Sequence, residues 1–253
     1  FLSRFEINFN LITNTFWGGK MQIVLPELVS SEIRRYGYIE ETVASFIINF
    51  CYSEDTVIDI GSHFGFFALL MSEIVGDKGY VHCFEPTPST FSILKKNLIQ
   101  KKNIILNRNA IYSKNTEIEL NDYGLSSSAF NSISETREKE NQGKSYQKKF
   151  KTNAITLDDY VRSKNLKPTL IKIDAESSEY EVIKGMDYIL REIRPKLCIE
   201  LGDLGVKGAI PSREIIDILI HEYGYKIYEM RERKLYPHKL KRTYSYINLF
   251  FKN

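Results

Sequence analysis

The chain has 253 residues, 43% of them hydrophobic and 26% charged, a composition that excludes disordered, collagen-like and disulfide-stapled proteins. Its 35 Lys and Arg against 32 Asp and Glu leave a formal charge of +3, which by itself indicates neither a nucleic-acid nor a membrane partner. No apolar run approaches the roughly 20 residues of a spanning helix, and the first residues mix polar with apolar side chains, so neither a membrane span nor a signal peptide is expected.

The N-terminal 54 residues precede the first strand-like pattern and are predicted to form a helical extension packed on the core. Within them, Glu41–Phe50 is amphipathic, which indicates a helix beside the sheet or over its mouth. From residue 55 to residue 253, short apolar runs alternate with helically spaced apolar residues, which predicts a mainly parallel α/β sheet with helices on both faces. The seven predicted strands are Thr56–Ile60, Tyr80–Phe84, Ile104–Ile111, Leu170–Ile173, Leu197–Leu201, Tyr225–Met230 and Tyr246–Phe251.

Residues 122–151, between the third and fourth predicted strands, break this alternation. They are rich in Ser, Lys, Glu and Asn and carry almost no periodic apolar pattern. We interpret them as a mobile insertion, either a lid or binding loop or a solvated surface excursion without a role.

The first predicted strand runs into a glycine-bearing turn and then an apolar helix, in the sequence V-I-D-I-G-S-H-F-G at 57–65. Glycines at positions 61 and 65 let the backbone turn tightly and approach a ligand, and a helix N-terminus suits an anionic group. Asp59 supplies a carboxylate for an ammonium group or for fixing the loop. The spacing G-x-x-x-G differs from the G-x-G-x-x-G of dinucleotide binding, so a pyrophosphate is the poorer fit.

The ends of the second and third predicted strands carry further candidates. Glu85 follows the second strand, twenty residues beyond Gly65, where an acid can accept hydrogen bonds from both hydroxyls of a ribose. Asn109 and Ala110 end the third strand and either border an adenine or belong to a plain core strand.

The cysteines indicate the redox compartment of the protein, and the first residue indicates the extent of the chain. Cys51, Cys83 and Cys198 are widely spaced, and the last two fall in apolar runs, so we expect buried thiols in a reducing, cytoplasmic compartment. The chain begins at Phe1 rather than at a methionine, which suggests a piece of a longer protein.

Several motifs occur in an order that resembles the FkbM family of methyltransferases. They are G-Y-I-E at 37–40, V-I-D-I-G-S-H-F-G-F-F at 57–67, F-E-P-T-P at 84–88, T-L-D-D-Y at 156–160, I-K-I-D-A-E-S-S-E-Y-E-V-I-K-G at 171–185 and I-N-L-F-F at 247–251. The resemblance spans about residues 36–251. It implies a Rossmann-like class I fold with a seven-stranded sheet, S-adenosylmethionine as cofactor, and methylation of hydroxyl groups on sugars, glycans or related natural products.

The resemblance also implies positions for the cofactor. Asp59, Gly61 and Gly65 would lie by its methionyl part, Glu85 by its ribose, and the 109–110 pair near its adenine. The full set of predicted cofactor-binding residues is Glu40, Asp59, Gly61, Ser62, His63, Gly65, Glu85, Pro86, Asn109, Ala110 and Asp174. The chain departs from the family at His63, which usually is Asn, and at Ser177, which usually is Gly and bears on the local turn.

Methyl transfer to an alcohol requires alignment of the acceptor oxygen and removal of its proton. Asp174 and Glu176 follow the fourth predicted strand, and alternate residues of an extended segment share a side, so we predict that both contact the acceptor. Alternatively, they cap the helix that begins near Ser177. His63 is a second candidate base, or a residue that only hydrogen-bonds locally. Glu200 could join Asp174 in holding a divalent metal, which the pattern permits without indicating it.

A basic stretch at 231–242 precedes the last predicted strand. It either meets a phosphate of a nucleotide sugar or lipid-linked glycan, or forms a solvated hairpin. A nucleic-acid methyltransferase is an alternative function that this stretch favours, but the chain lacks an Asn/Asp-Pro-Pro-aromatic motif and stacking aromatics after Asp174. A non-catalytic cofactor-binding module is a further alternative, motivated by Ser177.

Overall fold

The structure, a computed structural model, describes residues 8–131, 148–203 and 210–253. A hairpin of strands β1 (Phe9–Asn14) and β2 (Lys20–Leu25) opens the described chain, followed by helices α1 (Leu28–Tyr36) and α2 (Glu41–Phe50). The helix predicted at 41–50 is confirmed. The N-terminal extension, expected to be helical, also contains this hairpin, in which β1 and β2 pair from Phe9 with Leu25 to Asn14 with Lys20.

The remaining elements follow the predicted alternation. The helices are α3 (Phe66–Val75), α4 (Pro88–Leu98), α5 (Leu157–Ser163), α6 (Glu179–Lys184) and α7 (Ser212–His221). The strands are β3 (Thr56–Ile60), β4 (Tyr80–Phe84), β5 (Ile104–Asn107), β6 (Ala110–Ile111), β7 (Thr116–Asp122), β8 (Lys148–Ile155), β9 (Leu170–Ile173), β10 (Lys196–Leu201), β11 (Lys226–Arg231), β12 (Lys234–Pro237) and β13 (Ile247–Lys252).

Eight strands form the main sheet in the order β12-β11-β13-β10-β9-β3-β4-β5. The five from β10 to β5 are parallel, while β13 runs antiparallel between β10 and β11, and β12 adds a hairpin strand. The chain winds outward from β3 to β5 and returns to β9 on the other side of β3, so strand order reverses between β3 and β9. The predicted Rossmann-like fold is confirmed, with β12 beyond the seven predicted strands.

Register at the reversal point determines which residues leave the sheet together. Ile60 pairs with Phe84 on one side and with Ile173 on the other. Residues 61, 85 and 174 therefore emerge side by side at the carboxyl edge of the sheet, where ligands bind in folds of this kind.

A second sheet, in the order β6-β8-β7, corrects two predictions. The third predicted strand, Ile104–Ile111, ends at Asn107, because Ala110 and Ile111 pair with β8 instead of continuing along β4. The predicted insertion at 122–151 is structured at both ends: β8 pairs with β7, and a 3₁₀-helix spans Leu125–Phe130. Residues 132–147 of that insertion lie outside the described residues.

The core lies on both faces of the main sheet. One cluster includes residues of α2, α3 and α4, and the other includes residues of α5, α6 and α7. The inner strands β3 and β9 are buried along almost their whole length, as strands covered on both faces must be. No helix in the described part of the chain has the length and apolarity to cross a bilayer.

Candidate active site

The glycine loop after β3 packs directly against the end of β9. Gly61 has a φ of 73°, and a Cβ atom there would lie 1.8 Å from the carbonyl oxygen of Asp174. The backbone N–H groups of Gly61 and Ser62 both donate to the Phe84 carbonyl at 3.0 Å, and the Ser62 hydroxyl donates to the Asp59 carbonyl at 2.8 Å. Glycine at 61 is therefore required both by its backbone conformation and by the close approach of β9.

Gly65 has a packing role in this structure. It adopts a φ of 92° at the start of α3, and a Cβ atom there would lie 2.8 Å from Leu94 of α4. Gly65 does not line the cavity described below, so the structure assigns it to the seating of α3 against α4. Its predicted contact with the cofactor stays a prediction.

Glu85 lies at the tip of β4 and is buried, with two backbone donors on its carboxylate. His63 N donates to Oε2 at 3.1 Å and Thr87 N donates to Oε1 at 2.9 Å. Burial raises the pKa of Glu85 to about 7, although these N–H groups oppose the shift. Each carboxylate oxygen can accept one more hydrogen bond, so Glu85 fixes the glycine loop and retains acceptor capacity for two hydroxyls.

A cavity of about 330 Å³ opens at this edge of the sheet. Helix α1 and the residues after it supply an apolar wall that includes Leu28, Ile33 and Ile39. The predicted site residues that line the cavity are Glu40, Gly61, Ser62, His63, Glu85, Pro86, Asn109, Ala110, Asp174 and Glu176, and Glu200 lines it as well. Asp59 lies beneath the loop, fully buried, and does not line it.

Lys172, a residue that the sequence argument missed, stands at the centre of the buried charges. Its side chain is 3% exposed, and its Nζ lies 3.2 Å from Asp174 Oδ2 and 3.6 Å from Asp59 Oδ1. Burial alone would lower the pKa of Lys172, but the carboxylates of Asp174, Asp59 and Glu40 outweigh burial and raise it above its ordinary value. The signal was a lysine placed between two isoleucines in a fully buried strand, which requires a buried partner.

Three acids meet in the wall of the cavity. Carboxylate oxygens of Asp174, Glu176 and Glu200 lie within 4.8 Å of one another, a spacing at which they could hold a metal ion. Burial, followed by the charges of Asp174 and Glu176, raises the pKa of Glu200 to about 10. Burial and Asp174 also raise the pKa of Glu40 to about 7, while Asn248 Nδ2 donates to Glu40 Oε2 at 3.0 Å.

The turn after β9 is held by Glu179, which the sequence argument treated as an ordinary first-turn acid. Its Oε1 accepts hydrogen bonds from Ala175 N at 2.9 Å and from Ser177 N at 3.2 Å. Ser177 has a φ of 74°, a conformation that favours glycine, so the family's usual residue fits the turn better. Asp174 Oδ2 accepts from Lys172 instead of capping α6, which weighs against the capping alternative for Asp174.

His63 takes part in the loop through its backbone and its ring. It has a φ of 48°, its ring stacks on Phe64 with centroids 3.9 Å apart, and its Nε2 lies 2.7 Å from Ser128 Oγ. Burial lowers the pKa of His63, a shift that favours the neutral imidazole. Ser128 also lines the cavity and is a second residue that the sequence argument missed, since nothing local marks it.

These residues fit S-adenosylmethionine. Glu85 retains acceptors for the ribose hydroxyls, Phe84, Ala110 and Ile111 offer an apolar wall for a base, and the cavity has the size of a small-ligand site. Asp174 Oδ1 is buried without a hydrogen-bond partner among the described residues. The fold and the site together define an S-adenosylmethionine-dependent methyltransferase of the Rossmann-like class.

The chain belongs to the FkbM methyltransferase family, since the family model described as Methyltransferase FkbM domain matches residues 59–227. It is 30% identical over 158 residues to the hexuronic acid methyltransferase AglP of Haloferax volcanii, a match that covers 61% of this chain and 59% of that protein. The chain thus spans less than two thirds of this relative.

Two solved structures are also similar to the chain. The FkbM methyltransferase of Methylobacillus flagellatus gives a TM-score of 0.48 at 16% identity, covering 79% of this chain and 44% of that one. The fibrillarin of Aeropyrum pernix, solved with natively bound S-adenosyl-L-methionine, gives 0.49 at 10% identity, covering 98% of this chain and all of that one.

Proposed function

We propose that the protein is an O-methyltransferase that methylates a hydroxyl of a sugar or glycan, with Asp174 as the residue that receives the hydroxyl proton. The observation that carries this proposal is the state of the Asp174 carboxylate. Its Oδ2 is held by Lys172 at 3.2 Å, while its buried Oδ1 has no hydrogen-bond partner among the described residues. Asp174 lines the cavity, and a carboxylate oxygen with unused acceptor capacity is suited to receive the proton of an acceptor hydroxyl.

The reaction divides between the two sides of the cavity. S-adenosylmethionine, when bound, supplies an electrophilic methyl group that an oxygen can attack in line. Glu85 and the glycine loop orient the cofactor, and Asp174 aligns the acceptor oxygen and accepts its proton at Oδ1. Lys172 holds Asp174 Oδ2 at 3.2 Å and thereby fixes the orientation of the carboxylate.

A hexuronic acid is the acceptor class that we put first, because AglP bears that name and a basic segment precedes β13 in this chain. Residues 238–246 lead into β13 at the carboxyl edge of β10, where Ile247 pairs with Leu201, and Tyr246 lines the cavity. Lys239, Lys241 and Arg242 of this segment are exposed. Their charges would attract the carboxylate of an acidic sugar.

A cytoplasmic location is part of this proposal. The three cysteines are free and buried, as expected of thiols that remain reduced.

The test is methyl transfer from labelled S-adenosylmethionine to paired acceptors, methyl β-D-glucopyranosiduronic acid and methyl β-D-glucopyranoside, read by mass spectrometry. We expect transfer to the uronic acid to exceed transfer to the neutral sugar, and Asp174→Asn to lower turnover roughly 10²-fold with S-adenosylhomocysteine affinity within about threefold. Near-normal turnover of Asp174→Asn would exclude Asp174 as the base.

Two further arms separate the alternatives. EDTA lowers activity, and a divalent ion restores it, only if Asp174, Glu176 and Glu200 hold a metal; otherwise EDTA has no effect. Methyl transfer to an RNA or DNA oligonucleotide but to neither sugar would support a nucleic-acid methyltransferase. Tight S-adenosylhomocysteine binding without transfer to any acceptor would support a non-catalytic module.

A further inference from the structure

Residues 123–131, which we term the strap, form a loop that is tied at both ends to the start of α4. Asn131 Oδ1 accepts from Tyr123 N at 2.8 Å, and Asn131 Nδ2 donates to Thr90 Oγ1 at 3.3 Å. Next to the strap, the Ser89 hydroxyl donates to Asp122 Oδ2 at 2.9 Å. These bonds hold the strap as a fixed wall, and Ser128, Ala129 and Asn131 all line the cavity.

Ser128 joins the strap to the glycine loop. Its hydroxyl lies 2.7 Å from His63 Nε2 and donates to the Leu125 carbonyl at 3.2 Å. The 2.7 Å contact joins the hydroxyl to the imidazole in either tautomer of His63, because each of the two groups can donate or accept. Ser128 is only 4% exposed, which shields this bond from water.

His63 also connects Ser128 to Glu85, the acid at the tip of β4. The backbone N–H of His63 donates to Glu85 Oε2 at 3.1 Å. His63 adopts a positive φ of 48°, a conformation that costs energy for a residue other than glycine and is held by its surroundings. Ser128 contacts the ring of His63, and the backbone of His63 donates to Glu85. Hydrogen bonds therefore connect the strap, the glycine loop and Glu85.

We propose that Ser128 is a positioning residue for cofactor binding that acts through His63, and that their hydrogen bond latches the strap and the glycine loop around the cofactor. His63 serves as part of this latch through its ring, whose Nε2 lies 2.7 Å from Ser128 Oγ. The effect of this bond appears in the binding and release of S-adenosylhomocysteine, whichever acceptor the protein takes.

The test compares Ser128→Ala with two matched variants by stopped-flow release of S-adenosylhomocysteine and by calorimetry. We expect Ser128→Ala to speed release about 3- to 10-fold, the usual effect of losing one hydrogen bond, with the association rate unchanged. Ser128→Thr keeps the hydroxyl and should stay within about twofold of the wild type. Ser126→Ala, in the same turn, should also stay within about twofold, and an equal loss there would overturn the proposal.

A double-mutant cycle tests whether Ser128 acts through His63. His63→Asn keeps a residue that tolerates positive φ, while its side chain is too short to reach Ser128. In the His63→Asn background, Ser128→Ala should cause no further change in the release rate. Additive effects, or wild-type release from Ser128→Ala alone, would refute the latch. Unfolding temperatures of all variants within about 2 °C of each other show that the fold is intact.

Discussion

At the scale of single residues, the site is organised by buried charge. Lys172 lies within β9, where the other three side chains are all apolar. Its ammonium group is shared by the carboxylates of Asp59, in β3, and Asp174, directly after β9. An ion buried in this way is costly unless each partner is present. The arrangement therefore couples the stability of the sheet centre to the position of Asp174 in the cavity wall.

Replacing Lys172 should expose this coupling. Lys172→Met keeps the length of the side chain but leaves the carboxylates of Asp59 and Asp174 without their counter-ion. We expect the free energy of unfolding to fall by about 3–5 kcal/mol, measured by urea denaturation.

Two variants control for this effect. Adding Asp59→Asn to Lys172→Met should recover at least part of the loss, because it removes one of the uncompensated charges. Lys101→Met, which breaks a partly exposed pair with Glu73, should change stability little. A loss in Lys172→Met no larger than in Lys101→Met would contradict a structural role for the buried ion pair.

At the scale of elements, the site depends on how closely β3 and β9 approach each other. The loop after β3 leaves no room for a side chain at Gly61, because the Asp174 carbonyl occupies the position of a Cβ atom. The same approach brings the glycine loop after β3 next to Asp174. A small change in this contact should therefore move both the glycine loop and Asp174.

Gly61→Ala tests this contact against a matched glycine. Gly76 has a similar φ of 68°, but nothing lies within 4 Å of a Cβ atom built there. Both substitutions to Ala incur the cost of a positive φ, about 1 kcal/mol or more, while Gly61→Ala alone adds a backbone clash. We expect Gly61→Ala to be destabilised by at least about 2 kcal/mol more than Gly76→Ala in thermal or urea unfolding. Equal losses would show that β3 and β9 can separate freely.

At the scale of the whole molecule, four acids in or beside the cavity have raised pKa values. Burial, as the largest cause, raises the pKa of Glu40, Glu85 and Glu179 to about 7 and that of Glu200 to about 10. In the unfolded chain such groups release their protons near the ordinary value of 4.5. Between pH 4.5 and these raised pKa values, the folded state binds more protons than the unfolded state. The free energy of unfolding therefore falls as pH rises through this range.

The pH dependence of stability follows from this sign. Without cofactor, the protein should be less stable at pH 8 than at pH 5.5, by more than about 1 kcal/mol. Urea unfolding at the two pH values measures the difference. Glu200 has the largest pKa shift of these four acids, so Glu200→Gln should reduce the difference in stability between the two pH values. Glu54→Gln, on the exposed surface, should leave that difference unchanged. Greater stability at pH 8 than at pH 5.5 would be inconsistent with buried, protonated acids.

The sequence by itself determined the alternation of strands and helices, the glycine loop, and the strand-end positions of Glu85 and Asp174. Those features are encoded locally, in the periods of two and 3.6 residues and in the residues that end each strand. Tertiary structure alone decided that the apolar run at 104–111 divides between two sheets, because strand pairing is chosen by partners distant in sequence.

The same reason separates the predicted from the unpredicted parts of the site. Glu85 and Asp174 were predictable because a residue after a parallel strand emerges at a known edge of the sheet. The ion pairs of Lys172 and the bond between Ser128 and His63 join residues up to 113 positions apart, since 172 − 59 = 113. Such pairings depend on register and packing between elements, which no local pattern specifies, so only the folded chain brings these residues together.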